Sequence, residues 1–364
     1  MIKHVVSVSS GKDSDATLLI ALENCPRQSV IPIFCDTGNE HQHVYDHLAY
    51  LEQALDITIV RLKADFSEQI AGKRMFIARD QRTRREYDAV PVLDDAGDPV
   101  PKRDGRGNIV MRKVKRDGLV VEELVQKTKK VGGGHRVRWG NKAKRRALAN
   151  LYPTGVPFLD LCMWKGRFPS RKAQFCTEEL KTHMAVAFQL ELIDAGHQVI
   201  SWQGVRRDEG KARKNAKKIE RLNPGMWAFR PLVEWTAMQA FEFAAQRGIF
   251  PNPLYKMGME RVGCMPCINV SKNELREIAR RFPEKIDEKR RWEEKVALCS
   301  KRGLATFIPA PGLPNREAAK QDIWTVVEWS KTTRGGRQFD LLADLVEPSA
   351  CASAYGLCDQ AVMP

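Results

Sequence analysis

Residues 4–22, HVVSVSSGKDSDATLLIAL, decide the fold. The apolar run Val5, Val6 and Val8 ends in a small flexible loop, Ser9-Ser10-Gly11-Lys12-Asp13-Ser14. Apolar residues at helical spacing follow at once through Leu18, Leu19 and Leu22. Strand, loop and helix N-terminus in that order predict an anion-binding turn. Gly11 has no Cβ, the helix end carries partial positive charge, and Lys12 adds a full one. The spacing is not that of a Walker A loop, which requires a glycine where Val6 stands.

The pattern continues outward from this unit. Val30–Phe34 reads as a second strand, followed by the turn Asp36-Thr37-Gly38-Asn39. Tyr45–Leu55 has helical spacing, and Ile57–Val60 reads as a third strand. Such alternation predicts a parallel sheet covered by helices. Val90–Leu93 and Ile109–Met111 read as one hairpin with a long turn, before a basic linker and a basic helix (KAKRRALANLY). Helical spacing returns at Thr177–Leu192, and Gln198–Trp202 reads as another core strand. Ala237–Arg247 reads as a helix, and Lys272–Cys299 as one long charged helix. No internal repeat is evident.

The chain has 364 residues, 43% of them hydrophobic, which suffices for two domains or one with a large insertion. No apolar run approaches a membrane span, and charge interrupts the N-terminus too early for a secretory signal. A cytoplasmic protein is expected, with its nine cysteines as thiols, ligands or nucleophiles. Net charge is +15 and unevenly spread. Residues 67–150 hold 22 Lys and Arg against 11 Asp and Glu, a footprint expected for phosphate-backbone contact; a solvated charged insertion is the plainer reading.

The first loop resembles the S-G-G-x-D-S loop of the PP-loop ATP pyrophosphatases, with Ser10 at one glycine position. Four motifs in order, SSGKDS (9–14), FCDTGNE (34–40), RKAQFCTEELK (171–181) and GVRRDEGKAR (204–213), resemble the phosphoadenosine-phosphosulfate reductase family, which includes sulfurtransferases of DNA phosphorothioation. The resemblance implies a Rossmann-like α/β parallel sheet with a basic insertion and a cysteine-bearing helical C-terminal domain. The expected division is 1–66 with 150–250 for nucleotide binding, 67–149 for the insertion and 251–364 for the C-terminal domain.

Expected nucleotide and phosphate contacts are Ser9, Ser10, Gly11, Lys12, Ser14, Asp36, Thr37, Gly38, Arg171, Lys181, Arg206 and Arg213. Lys12, Asp13 and Cys176 are expected in catalysis. Arginine suits a polyanion because its planar fork pairs two oxygens at once. An ordinary surface ion pair is the competing reading for each arginine alone. His41, His43 and His47 do not share one helical face, which argues against a metal trio.

Gly263-Cys264-Met265-Pro266-Cys267 is a C-x-x-C knuckle, a spacing that places two thiolates on one metal. Cys351 and Cys358 near the C-terminus complete one four-cysteine set; Cys176 or Cys299 are alternates. Sequence alone leaves iron–sulfur, zinc and a redox dithiol open, and the resemblance implies a [4Fe–4S] cluster. Cys25, Cys35 and Cys162 lie in apolar surroundings and read as packing.

Three functions follow as expectations. One is an ATP- and Mg²⁺-using sulfurtransferase acting on nucleic acid, gripped by residues 67–150, through an adenylated intermediate with a sulfur donor. Another is a sulfonucleotide reductase served by a thioredoxin-like partner; its E-C-G-[LI]-H motif is replaced here by Tyr-Gly-Leu-Cys-Asp-Gln (355–360). The last is a non-catalytic nucleotide- or nucleic-acid-binding module, in which substituting Lys12 alters affinity alone.

Overall fold

A computed structural model describes residues 1–80, 86–116, 119–135, 139–210, 213–313, 315–333, 338–339 and 353–357. The chain begins with β1 (Ile2–Ser7), α1 (Lys12–Asn24), β2 (Val30–Asp36), α2 (Gln42–Leu55), β3 (Val60–Lys63) and α3 (Ser67–Arg79). Strands β4 (Glu86–Pro91), β5 (Met111–Arg116), β6 (Leu119–Leu124) and β7 (Thr128–His135) follow, then α4 (Asn141–Asn150) and α5 (Pro157–Lys165). A short α6 (Phe175–Thr177) runs through a π-helical turn, Glu178–Thr182, into α7 (His183–Asp194). Next come β8 (Gln198–Trp202), β9 (Ile219–Asn223), β10 (Met226–Phe229) and α8 (Ala237–Ala245). Helices α9 (Lys272–Arg281), α10 (Pro283–Cys299), α11 (Asn315–Ala318) and α12 (Ile323–Ser330) build the C-terminal part.

The main sheet has order β3-β2-β1-β8-β10-β9. Its first five strands are parallel, and β9 closes one edge antiparallel to β10. This is the Rossmann-like arrangement. Alternate residues of β1 serve opposite layers, as the two-residue strand period demands. Val5 packs with Ile33 and Val199 against Phe188 and Leu192 of α7. Val6 packs in the larger core with Leu18 of α1 and Leu48 of α2. Full burial of each such aliphatic side chain contributes about 1.5–3 kcal/mol. Helices α3 and α4 join this core through Ile70, Ile77, Ala143 and Ala147, so they belong to the body of the molecule. Arg74 ties them together by donating to the carbonyls of Leu148 and Leu151.

The structure departs from the sequence reading in three places. The third strand begins at Val60, because Ile57 N–H still bonds the Glu52 carbonyl at 3.1 Å beyond the left-handed Asp56. Ile59 N–H is taken by the Glu52 carboxylate at 2.8 Å, so these residues leave the helix before pairing begins. Pro283 divides the expected long helix into α9 and α10, since it lacks the N–H that continuation needs.

The single long hairpin is instead two tight ones, bridged at Leu93–Pro99 and Arg103–Ile109. They are built alike, ten residues apart, and constitute a short internal repeat. Asp94 Oδ1 accepts from Ala96 and Asp98 N–H, and Asp104 Oδ1 from Arg106 and Asn108 N–H. Gly97 and Gly107 supply the left-handed φ of 89° and 90° in the two turns. Around them, β4 pairs with β7 and β5 with β6, making an exposed ribbon outside the main sheet.

Candidate nucleotide site

A cavity of about 470 Å³ opens at the carboxyl ends of β1, β2 and β8, where ligands bind in open α/β sheets. Ser9, Gly11, Lys12, Asp13 and Ser14 form one wall, and Lys181, Glu209 and Arg213 face them. The loop is held by internal bonds. Ser10 takes the left-handed φ of 63°, which explains why a glycine would suit that position. Its buried hydroxyl accepts from Asn252 Nδ2 at 2.8 Å, and the same amide donates to the His43 carbonyl at 2.9 Å. Ser14 Oγ accepts from Gly11 N–H at 3.1 Å and donates to the Gly11 carbonyl at 2.7 Å. Below the loop, Asp15 and His47 form a buried pair at 2.9 Å.

Gly11 itself is extended (φ −110°), so backbone freedom does not explain it. Close approach does: a Cβ there would stand 3.2 Å from the Tyr255 hydroxyl. That hydroxyl accepts the Lys12 N–H at 3.0 Å. The Lys12 ammonium is enclosed by rings, 4.9 Å from the centroid of Tyr355, 5.3 Å from Tyr255 and 5.8 Å from Phe241. Asp13 Oδ2 lies 3.6 Å from it. Asp13 also accepts from Arg206 Nε at 2.6 Å. Burial pushes the Asp13 carboxyl above its ordinary value, against the pull of Lys12 and Arg206.

Deeper in, Glu40 and Lys181 line the cavity beside Cys35. Glu40 accepts from the N–H groups of Thr37 and Asn39 and from the Thr37 hydroxyl. Cys264 Sγ lies 3.4 Å from Thr37 Oγ1 and 3.7 Å from Glu40 Oε1. Burial pushes the Cys264 thiol up to about 12, with Lys181 opposing. Cys264 first, then Glu40, Cys267 and Cys35 hold the Lys181 ammonium above its ordinary range despite burial.

Several expected contacts are engaged elsewhere and do not line the cavity. Asp36 Oδ1 accepts from Gly38 N–H at 2.9 Å and Tyr45 Oη at 2.8 Å, which closes the turn. Gly38 has φ 69°, and a Cβ there would meet Val156 and Pro157 at 3.0 and 3.1 Å; the close neighbour is the start of α5. Thr37 is bound to Glu40 and Ser10 to Asn252. Arg171 is exposed and reaches the Val270 carbonyl at 3.5 Å. Arg206 is buried against Asp13 and Asp208. Arg213 lines the cavity and pairs with Glu209. Sequence reading missed Glu40, Tyr255 and Arg261 as cavity residues. Only the adjacency of Glu40 to the D-T-G turn hinted at any of them.

The knuckle cysteines sit beside other thiols without assembling a complete site. Burial raises Cys176, and Cys267 raises it further; Cys267 also raises Cys264. Among the described residues, no three His, Cys, Asp or Glu side chains converge to hold a metal ion. Cys351 and Cys358 lie outside the described residues. Cys299 is buried near Lys295, Arg146 and Arg74. The histidines are separate too: His41 Nδ1 accepts from His43 N–H and its ring packs on Phe282, while His47 holds Asp15. No described helix is long and apolar enough to cross a membrane.

Sheet order, loop and cavity define a Rossmann-like α/β protein with its phosphate loop after the first strand. Within that class, the chain belongs to the family of the phosphoadenosine phosphosulfate reductase domain, whose family model matches residues 3–90 and 148–270. The interval between the two matches contains most of the exposed ribbon. A protein of Escherichia phage 186, described as an uncharacterized 37.8 kDa protein in the gpa 5' region, is 40% identical over 98% of this chain and 96% of its own length. The uncharacterized protein MJ0066 of Methanocaldococcus jannaschii is 29% identical over 34% of this chain and 25% of its own length. The crystal structure of phosphoadenylyl-sulfate reductase from Candida auris, in a phosphate complex, aligns with 73% of this chain and 82% of its own at 13% identity and a TM-score of 0.37.

Proposed function

We propose that the protein is an ATP-pyrophosphatase-type sulfurtransferase acting on nucleic acid. The observation that carries this reading is the Lys12 loop at the mouth of a cavity that continues to Lys181 and Glu40, on a body that also bears an exposed hairpin ribbon. The polyphosphate would lie along the loop, with Lys12 and Arg213 drawing off charge as pyrophosphate leaves. An oxygen of the target would attack the α-phosphorus and expel pyrophosphate. A sulfur nucleophile would then attack the target atom bearing the adenylated oxygen, so that AMP leaves with that oxygen and sulfur takes its place. Mg²⁺ bound with the nucleotide would neutralise part of its charge. The ribbon presents Lys102, Arg106, Lys127 and Lys129 to solvent for the nucleic-acid backbone. Pyrophosphate release from ATP, measured with and without DNA or RNA, tests the reading; release stimulated by nucleic acid is expected.

A second reading, sulfonucleotide reduction, is favoured by one observation. Tyr355 covers Lys12 and Leu357 is buried with Tyr255 and Phe241, so the chain leading to Cys358 passes over the loop. A Cys358 thiolate would attack the sulfur of a bound sulfonucleotide and expel the nucleotide phosphate. A thioredoxin-like thiol would then attack the Cys358 sulfur of the thiosulfonate, releasing sulfite and leaving a mixed disulfide. Sulfite formation without pyrophosphate release from ATP selects this reading. The C-x-x-C spacing of Cys264 and Cys267 supports a metal or [4Fe–4S] cluster on the knuckle, completed by further cysteines. Iron, sulfide and zinc analysis after anaerobic purification checks it, with Cys264→Ser expected to lose metal. Full metal in that variant refutes the assignment.

A further inference from the structure

We infer that Tyr255 is an anion-binding residue of this site: its phenolic O–H relays the Lys12 backbone amide to a phosphate or phosphosulfate oxygen. The inference rests on the reading that the cavity binds a nucleotide. Lys12 opens α1, and its N–H is one of the helix's unpaired donors. That N–H ends on Tyr255 Oη at 3.0 Å. A phenol that accepts one hydrogen bond still has its own proton to give. Among the described residues no acceptor takes that proton, although Tyr255 is only 2% exposed and lines the cavity. A buried donor left unused costs free energy unless something meets it. An anion in the cavity meets it.

The geometry also fixes the phenol. Asn252 Oδ1 accepts from Leu254 N–H at 3.0 Å and the Asn252 carbonyl from Tyr255 N–H at 3.1 Å, so Tyr255 leaves a closed turn. Its ring packs edge-on to Phe241 with centroids 5.0 Å apart. Burial pushes the phenol well above its ordinary value, which keeps the proton in place for donation. Donation to an anion in turn strengthens the bond from Lys12 N–H, because chained hydrogen bonds polarise one another.

Tyr255→Phe removes the donor and keeps the ring that encloses Lys12. Calorimetric titration with inorganic pyrophosphate, ATP and adenosine reads the effect on folded protein. A hydrogen bond to an anion predicts roughly 10- to 100-fold weaker binding of pyrophosphate and ATP, with adenosine affinity unchanged. Equal weakening of adenosine, or no weakening of pyrophosphate, overturns the inference. Should Tyr255→Phe fail to fold, 3-fluorotyrosine at position 255 gives an independent measurement. Its ¹⁹F resonance is expected to move on adding pyrophosphate and to stay put with adenosine; no movement with pyrophosphate refutes the role. Lys12→Ala separates the two levels. If Lys12→Ala weakens ATP but Tyr255→Phe does not, the relay alone falls. If the unmodified protein binds neither pyrophosphate nor ATP, the nucleotide reading and the relay fall together.

Discussion

Replacing Gly204 by alanine tests how the cavity is assembled. A Cβ on Gly204 would stand 2.7 Å from the Asp13 carbonyl oxygen, 2.8 Å from its carbon and 3.1 Å from Thr17 Oγ1. Ordinary contact begins at 3.4 Å, so the two segments must part by about 0.7 Å. Neither can yield cheaply. The Asp13 carbonyl accepts from Thr17 Oγ1 at 2.7 Å within the first turn of α1, and Gly204 follows β8 directly, two residues after Trp202. Overpacking of this kind costs about 1–3 kcal/mol. Moving the loop face of α1 by a similar distance is expected to reduce turnover by about 10²-fold, since ~1 Å misplacement has that effect. Urea melts give the stability cost, and ATP titration with pyrophosphate release gives the functional one. Gly72→Ala is the control: nothing lies within 4 Å of its added Cβ inside α3, and it should stabilise by about 0.5–1 kcal/mol. A Gly204→Ala protein with unaltered urea midpoint and turnover would refute the reasoning.

Other outcomes follow from the same contacts. Burial lifts the carboxyls of Glu274 and Glu293 to about 7 from an ordinary 4.5. A raised folded-state value means their contribution is full below about pH 4.5 and is lost as pH rises through about 7. Stability should therefore decline from about pH 5 to pH 8, by up to ~3 kcal/mol for each group; melting temperatures across that range check it, and Glu293→Gln should flatten the slope. Asn252→Ala leaves the buried Ser10 hydroxyl and the His43 carbonyl without their donor. The expected cost is about 1–3 kcal/mol, read from urea midpoints. Neutralising Lys102, Arg106, Lys127 and Lys129 together should weaken DNA binding at every sequence alike. The salt slope should fall by up to about 0.9 per lost phosphate contact, measured by titration at several ionic strengths. An unchanged slope places nucleic acid elsewhere or nowhere.

Local sequence set the strand–loop–helix unit at 4–22 and the parallel alternation around it. These are local facts: an apolar period, a small loop and a helix start depend on near neighbours in the chain. Even the misplaced third strand and the unbroken α9–α10 helix were local errors, correctable from Glu52 capping Ile57 and from Pro283. The paired turns at Asp94 and Asp104 were read as one long turn, although they are the same short pattern written twice. Tertiary structure alone decided what the loop touches. Tyr255 is 243 positions from Lys12, and Cys264 is 224 from Glu40. No spacing rule links residues so distant, because their meeting depends on how α8 and the knuckle fold back over the sheet. The same packing turned Asp36 and Gly38 toward their own turn and α5, and left Glu40, Lys181 and Arg261 facing the cavity. A motif states which chemistry a segment can offer; the packing of remote segments decides which of its atoms remain free to offer it.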